Sequence, residues 1–147
     1  MKELLCVIDM QAGFSSSDDA LNGCIRLVKN AVNKKMPIIF VEYEGYGPTL
    51  STLTNIAKET KPMFCQKQTD DGAREIVMAL EEVGYNYRDY KIRVCGVNAC
   101  YCVKDTYEQL KSYYRANLKP MVSGMACTCN DKYCFKTSAG RFGWLNW

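Results

Sequence analysis

Hydrophobic residues in this sequence form short continuous runs that alternate with longer segments of helical periodicity. The runs at 4–8 and 38–41 have the length of strands that are covered on both faces. Between them, apolar residues recur every three or four positions from 21 to 32, which predicts a helix ending near Lys34 and Lys35, before Pro37. Serine and aspartate residues just upstream supply candidates for its N-cap and first turn.

The same alternation continues to about residue 123. It predicts three further strands and three further helices: strands at 63–65, 92–95 and 120–123, and helices at 49–59, 70–84 and 100–115. Strands that alternate with helices favour an α/β fold, a three-layer α/β/α sandwich around a mostly parallel, doubly wound, Rossmann-like sheet. We expect a single domain over 1–147, although the segment 127–147 has no clear pattern.

This order of elements places three reactive side chains at one edge of the predicted sheet. Asp9 follows the first strand, Lys67 follows the third, and Cys102 lies in the first turn of the helix after the fourth. The carboxyl ends of parallel strands share one edge of a sheet, and ligand sites form there. Backbone N–H groups at a helix N-terminus favour a thiolate, and a nearby lysine adds to that effect. An aspartate is suited to accept the thiol proton. The pattern predicts acyl transfer through a cysteine nucleophile.

Two segments at these positions resemble the isochorismatase-like cysteine hydrolases, which include nicotinamidases and other amide and carbamoyl hydrolases. "CVIDMQAGF" at 6–14 is similar to the family's first-strand signature, and "CGVNACYCVKDTYEQL" at 95–110 is similar to its nucleophile segment. The resemblance covers about residues 3 to 130. It implies the isochorismatase-like fold and a catalytic triad of Asp9, Lys67 and Cys102, with Lys61 as the reserve candidate for the lysine.

The resemblance also implies a mechanism. Asp9 would deprotonate Cys102, whose sulfur attacks a carbonyl; loss of the amine leaves a thioester, which water hydrolyses. A non-proline cis peptide bond at Val97–Asn98 would orient the donors that stabilise the oxyanion. Two residues of the first motif are candidate substrate contacts: Gln11 and Phe14. The predicted function is hydrolysis of a C–N bond in a small amide, ureido or carbamoyl substrate.

The chain contains no histidine, which removes every Cys–His catalytic pair and every histidine-based metal site. Nicotinamidases hold a metal with an aspartate and histidines that begin just after their second strand. Here that position reads "EYEGYG", at 42–47. We therefore expect no metal and no cofactor, and a substrate other than nicotinamide. Glu42 or Glu44 is a candidate to face a cationic or ureido group of the substrate.

Composition excludes several classes of partner. The net charge is +3, from 19 basic and 16 acidic residues, and no basic run is present, so nucleic-acid binding is not expected. No apolar run approaches the ~20 residues that span a bilayer. The first residues do not resemble a signal peptide, so we expect a cytoplasmic protein whose nine cysteines are free thiols.

The chain is short for the family, so we expect a site that is more open, or that a second subunit completes. A homo-oligomer, a dimer or higher, would also cover the two tryptophans near the end of the chain, Trp144 and Trp147, unless these close the core instead.

Two other classes of function remain open at this stage. One is a non-catalytic relative that binds a metabolite or a protein partner. The other is a zinc or thiol-redox protein, in which Cys100 and Cys102 form a redox pair or three later cysteines bind zinc: Cys127, Cys129 and Cys134.

Overall fold

A computed structural model describes residues 1–119 and 127–128 of the chain. Strands and α-helices alternate along these residues in the following order: β1 (Lys2–Ile8), α1 (Ser17–Asn33), β2 (Ile38–Tyr43), α2 (Ser51–Ala57), β3 (Met63–Lys67), α3 (Ala73–Glu82), β4 (Tyr90–Val97), α4 (Lys104–Ser112), β5 (Asn117–Leu118) and β6 (Cys127–Thr128). Short 3-10 turns cover Lys58–Thr60 and Tyr87–Asp89, and a π-helical turn, Ala99–Val103, leads into α4. The predicted alternation is confirmed.

The strands form one parallel sheet with the order β3-β2-β1-β4-β5, and β6 pairs with the carboxyl-terminal end of β4. The chain first builds outward from β1 through β2 to β3, and then crosses back to place β4 on the other side of β1. The direction of winding therefore reverses between β1 and β4. In open α/β sheets, ligand sites form at such a switch point, beyond the carboxyl ends of the strands.

Helices cover both faces of the sheet because successive side chains of a strand point to opposite faces. Leu4, Cys6 and Ile8 of β1 pack in one core with residues of α3 and α4. Leu5 and Val7 pack in a second core with residues of α1 and α2. The three-layer α/β/α sandwich predicted from the sequence is thus confirmed.

Gly96 allows the two central strands to approach each other at the switch point. It lies opposite Ile8 in the β1–β4 register and has φ +116°, a conformation that favours glycine. A Cβ atom at this position would lie 2.0 Å from the Ile8 carbonyl oxygen. The glycine therefore lets β4 pair closely with β1 immediately before the turn that carries Cys102.

Two helices begin later than the sequence predicted, and both shifts concern the site. The helix expected from residue 70 begins at Ala73, because the Asp71 carboxylate accepts the Ala73 N–H at 2.9 Å and keeps the preceding residues outside the helix. The helix expected from residue 100 begins with the π-helical turn and becomes regular only at Lys104. The strand predicted at 120–123 lies outside the described residues, and β5 precedes it.

Candidate active site

The structure brings Asp9, Lys67 and Cys102 together at the carboxyl edge of the sheet. Asp9 follows β1 with φ 54°, Lys67 is the last residue of β3, and Cys102 lies in the π-helical turn after β4. All three are buried, with exposures of 0%, 1% and 3%. Lys61, the reserve candidate, is exposed in the turn before β3, at the opposite end of that strand. The topology thus places Lys67 at this edge and Lys61 away from it.

The Lys67 ammonium is held by three neighbours. Its Nζ lies 3.0 Å from the Asp9 Oδ2 and donates a hydrogen bond to the Thr69 carbonyl oxygen at 3.0 Å. It also lies 4.0 Å from the centre of the Tyr43 ring, which is a cation–π distance. Because a buried charge needs partners, these contacts fix the ammonium beside the Asp9 carboxylate.

The environment of Asp9 prepares it to bind a proton. Burial raises the pKa of this carboxyl, the Lys67 charge partly opposes that effect, and the nearby Asp70 charge adds to it. Although the ammonium is close, neither Asp9 oxygen receives a hydrogen bond of regular geometry from the described residues. The carboxylate is therefore held beside the ammonium mainly by charge, and it also interacts with the Cys102 thiol, which lowers its pKa.

Cys102 is a protonated thiol in this arrangement. Burial is the main effect that raises the pKa of the thiol, and the adjacent Asp9 carboxylate raises it further, while Lys67 opposes both. The sequence led us to expect that the helix N-terminus and the lysine would favour a thiolate. Desolvation and the carboxylate outweigh them here, so the thiol needs a base at the moment of attack.

Asp9→Asn should have opposite effects on two reactions of Cys102, its alkylation and the proposed hydrolysis. Asp9→Asn removes a negative charge beside the sulfur, so the pKa of Cys102 should fall and alkylation by iodoacetamide at neutral pH should become faster. Hydrolysis should be lost in the same variant because the proton acceptor is gone. The measurement is the pH dependence of Cys102 alkylation, located by peptide mass spectrometry. A midpoint that stays the same or rises in Asp9→Asn would contradict the assigned position of the carboxylate.

The peptide bond between Val97 and Asn98 is cis, at the position that the resemblance implied. The Asn98 carbonyl oxygen accepts the N–H groups of Tyr101 and Val103 at 3.1 and 3.2 Å, which fixes the turn that carries Cys102. The buried hydroxyl of Ser16 donates a short hydrogen bond to Asn98 Oδ1. The sequence indicated only a helix start at Ser16. Its contact with Asn98 joins residues that are 82 positions apart in the chain, so no local pattern reveals it.

Gln11 is committed to the backbone of the loop after β2. Its amide nitrogen donates to the carbonyl oxygens of Tyr43 and Gly47 at 3.0 and 2.5 Å, and its amide oxygen accepts the Tyr43 N–H at 2.8 Å. The side chain is fully buried. Gln11 therefore fixes the backbone at Tyr43, whose ring contacts Lys67. These hydrogen bonds occupy its side-chain amide, which we had expected to contact the substrate.

Phe14 and Glu44, the other two candidate substrate contacts, have different surroundings. Phe14 stacks on Tyr46 with ring centres 4.2 Å apart, and both rings contact Tyr43, so the three form an aromatic wall beside Lys67. Glu44 is exposed and accepts a hydrogen bond from Gln68 at 2.7 Å. The other glutamate considered, Glu42, holds Thr49 through its backbone N–H and hydroxyl.

Asp70 is a residue at the site that sequence reasoning missed. Its Oδ1 lies 3.6 Å from the Cys102 sulfur, although the sequence suggested only a helix start at this position. Thr106 fixes the Asp70 loop, because its buried Oγ1 accepts the Gly72 N–H at 2.9 Å and lies 3.5 Å from the Asp70 carbonyl oxygen. No local signal marks these contacts, since they join residues more than thirty positions apart.

Gly72 provides the space in which Lys67 lies. A Cβ atom at residue 72 would be 2.9 Å from the Lys67 Cδ and 3.2 Å from the Val41 Cγ1. Gly72→Ala should displace the lysine and lower kcat/KM about tenfold, with a smaller effect on stability because φ −109° is open to alanine. Steady-state kinetics and urea unfolding would measure the two effects. Unchanged kcat/KM would show that the ammonium tolerates displacement.

The free thiols differ in part from what we expected. Within residues 1–119, Cys102 is free together with four other cysteines: Cys6, Cys24, Cys65 and Cys95. Cys100 is disulfide-bonded, and none of these free cysteines is its partner. A Cys100–Cys102 redox pair is therefore wrong, as is the expectation that every cysteine is free, because pairing depends on spatial proximity that the count of cysteines does not reveal.

Two structural features, a metal-binding group and a membrane-spanning helix, are absent from the residues that the structure describes. Among residues 1–119, no group of three His, Cys, Asp or Glu side chains is arranged to hold a metal ion. Over the same range, no helix combines the length and apolarity needed to cross a bilayer. The cysteines considered for zinc and the two tryptophans lie outside the described residues, apart from the backbone of Cys127.

The fold is shared with solved structures of several hydrolases. A nicotinamidase from Staphylococcus aureus superposes with a TM-score of 0.75 over 97% of this chain and 93% of its own, at 13% sequence identity. The MAR1 ribonuclease from Caenorhabditis elegans gives 0.73 over 97% and 72% at 21% identity. The octameric YcaC hydrolase from Escherichia coli gives 0.71 over 97% and 71% at 17% identity. The chain has the isochorismatase-like fold.

By sequence, the chain matches no protein-family model and none of the curated proteins. Sequence identity to the solved structures is only 12–21%, so it is the structural similarity that establishes the fold. This is the fold that the two motifs predicted. The chain covers 93% of the Staphylococcus nicotinamidase, so it is not short relative to every structure of this fold. Cys102 is 3% exposed, and the expectation of a more open site, or of one that a second subunit completes, stays a prediction.

Proposed function

We propose that this protein is a cysteine hydrolase that cleaves a C–N bond in a small amide, ureido or carbamoyl substrate. The observation that carries the proposal is the buried cluster of one thiol, one carboxylate and one ammonium at the switch point of the sheet. The Asp9 carboxylate has a raised pKa and no regular hydrogen bond, so it is suited to take the thiol proton. The hydrolase neighbours of the same fold support this proposal.

The first half of the proposed reaction forms a thioester. Cys102 passes its proton to Asp9 as its sulfur attacks the substrate carbonyl, and the C–S bond forms while the carbonyl oxygen gains negative charge. Backbone N–H groups near Asn98 and Cys102 are the proposed donors to that negative charge. Asp9 then returns the proton to the departing nitrogen as the C–N bond breaks, and the amine leaves.

The second half releases the acid. Asp9 takes a proton from a water molecule that attacks the thioester carbonyl, the C–S bond breaks, and the sulfur is reprotonated. Lys67 keeps the carboxylate next to the sulfur in both halves and balances its charge while it is ionised. Neither half requires a metal or a histidine. Because Asp9 must be ionised to act as the base, the acidic limb of the pH–rate profile should lie above the ordinary aspartate range near 3.9.

Ammonia release from a panel of small amides, ureas and carbamoyl compounds tests the proposal, with Cys102→Ala as the control. Amides that carry no pyridine ring belong in the panel, since we expect a substrate other than nicotinamide. Turnover by the wild-type protein that disappears in Cys102→Ala would support a hydrolase. Failure of every compound, together with a Cys102 that no electrophilic amide acylates, would favour the non-catalytic binding protein.

We also propose that the protein is a homo-oligomer. The YcaC neighbour is octameric, and several large apolar side chains of this chain are exposed, among them Phe64 at 51% and Met78 at 53%. Exposed large apolar side chains such as these are suited to contact a second subunit.

A further inference from the structure

The Asp70 carboxylate lies at the exposed side of the nucleophile. Its Oδ1 is 3.6 Å from the Cys102 sulfur, and Asp70 is exposed. Asp9, which also interacts with the Cys102 thiol, is fully buried. A molecule that approaches the Cys102 sulfur from solvent therefore passes close to the Asp70 carboxylate.

The Lys67 charge does not neutralise Asp70. The ammonium is buried and is committed to Asp9, the Thr69 carbonyl oxygen and the face of the Tyr43 ring. Its charge is paired with that of Asp9, so Asp70 adds a further negative charge beside the sulfur. A buried and already paired ammonium is also poorly placed to bind an anionic group of a substrate.

The electrostatic effect of Asp70 extends over the neighbouring side chains. The pKa of Asp105 is raised, first by burial and next by the charge of Asp70, whose effect exceeds the opposing effect of Lys104. The pKa of Tyr43 is also raised by burial and then by Asp70. The charge of Asp70 therefore acts on two different residues, one in β2 and one in α4.

An aromatic surface lies next to this charge. Tyr43 packs against Phe14 and Tyr46, and the Tyr46 side chain is 40% exposed. Aromatic faces attract cations, and a carboxylate beside them strengthens that preference. The combination suits a small positively charged or strongly hydrogen-bond-donating group.

We propose that Asp70 determines the charge selectivity of the site, favouring amides that carry a cationic or hydrogen-bond-donating group near the scissile carbonyl and disfavouring anionic ones. The substrate class rests on the proposed function; the electrostatic role of Asp70 at Cys102 does not. A unit charge on a substrate about 6 Å from Asp70, at an effective dielectric constant of about 40, changes the rate about tenfold.

Charged thiol reagents measure this field without a known substrate. Two methanethiosulfonates of similar size are used, one with a trimethylammonium group and one with a sulfonate, and the rate of modification at Cys102 is followed by peptide mass spectrometry. The same Cys102 thiolate attacks the sulfenyl sulfur of either reagent and expels methanesulfinate, so the ratio of the two rates is independent of the thiol pKa. The ratio reports the electrostatic potential at the sulfur.

The other described thiols interfere little with this measurement. Cys6, Cys24 and Cys95 have no exposed surface. Burial raises the pKa of Cys65 to about 12, so little of it is thiolate at neutral pH. Cys95 and Cys100 share a tryptic peptide with Cys102, so cleavage by chymotrypsin after Tyr101 is used to separate Cys102 from both. Cys100 is disulfide-bonded and does not react as a thiol.

In Asp70→Asn, the ratio of the cationic to the anionic rate should fall by at least about tenfold, because the two reagents differ by two units of charge. Asp70→Glu should keep most of the wild-type ratio. Asp89→Asn, which removes an exposed carboxylate before β4 at the opposite edge of the sheet, should leave it unchanged. A ratio in Asp70→Asn equal to that of the wild type would overturn the inference.

A second measurement extends the test to turnover. Two amides that differ only in an amino or a carboxylate substituent are compared, and Asp70→Asn should reduce the preference for the amino compound by at least about tenfold, because these substituents also differ by two units of charge. A preference that does not change in this variant would overturn the assigned selectivity. If the reagent ratio falls as expected but neither amide is hydrolysed by any form, the proposed hydrolase function fails while the field of Asp70 at Cys102 stands.

Discussion

Cys102→Ala should lower kcat for amide hydrolysis by at least about a thousandfold, because it removes the atom that forms the covalent intermediate. Cys102→Ser should also be severely impaired, since a hydroxyl is a weaker nucleophile than a thiol beside the same carboxylate. Steady-state ammonia release measures the loss. Rapid quenching and intact-mass analysis of the wild-type protein should show an acyl adduct on the peptide that carries Cys102.

A second buried cysteine provides the control that distinguishes loss of the nucleophile from loss of packing. Cys24 is another buried thiol that forms no disulfide bond, and it lies in α1, in the core on the other face of the sheet from Cys102. Cys24→Ala should retain wild-type kcat within a few-fold, with a modest loss of stability from the smaller side chain. Hydrolysis that survives in Cys102→Ala at more than a tenth of the wild-type rate would exclude Cys102 as the nucleophile.

Lys67→Met should lower the free energy of unfolding at pH 7 by about 3–5 kcal/mol, because it leaves the buried Asp9 carboxylate without its counter-charge. The double variant Asp9→Asn, Lys67→Met should recover a large part of that loss, since neither buried charge then remains. Urea unfolding of the single and double variants measures the coupling between the two residues. Additive losses would show that the two charges do not stabilise each other.

The pH dependence of Lys67→Met follows from the raised pKa of Asp9 in the folded protein. A carboxyl with a raised pKa contributes stability below its unfolded pKa, near 3.9, and loses that contribution as pH rises through its folded pKa. Removing the lysine raises the folded pKa further. The deficit of Lys67→Met should therefore be small near pH 4 and should grow toward pH 8.

An exposed ion pair provides the control for this stability effect. Lys119 and Glu3 form a close pair at the surface, with side chains that are 20% and 28% exposed. Lys119→Met should cost less than about 1 kcal/mol, because water solvates the remaining carboxylate. A loss in Lys119→Met as large as that in Lys67→Met would mean that burial is not the cause of the difference.

Much of the fold was open to sequence analysis because it depends on local patterns. The apolar runs of β1 and β2 are covered on both faces, so they are continuous and easy to recognise. The periodicity of α1 was equally clear. Helix starts were less predictable: Asp70 and Asp71 looked like one N-terminal turn, but Asp71 caps Ala73 while Asp70 faces Cys102. The two residues differ in spatial neighbours and not in local sequence.

The sequence by itself determined the parallel α/β sheet and predicted Asp9, Lys67 and Cys102 at its carboxyl edge, because the alternation of strands and helices along the chain follows from the hydrophobic pattern. The order of the strands and the choice between Lys67 and Lys61 came from the tertiary structure. The tertiary structure decided the charges and contacts at that edge. It alone shows that burial and Asp9 keep the Cys102 thiol protonated, that Gln11 supports a loop, and that Asp70 lies against the sulfur. Desolvation and contacts between distant segments depend on packing in three dimensions, which a local pattern does not encode.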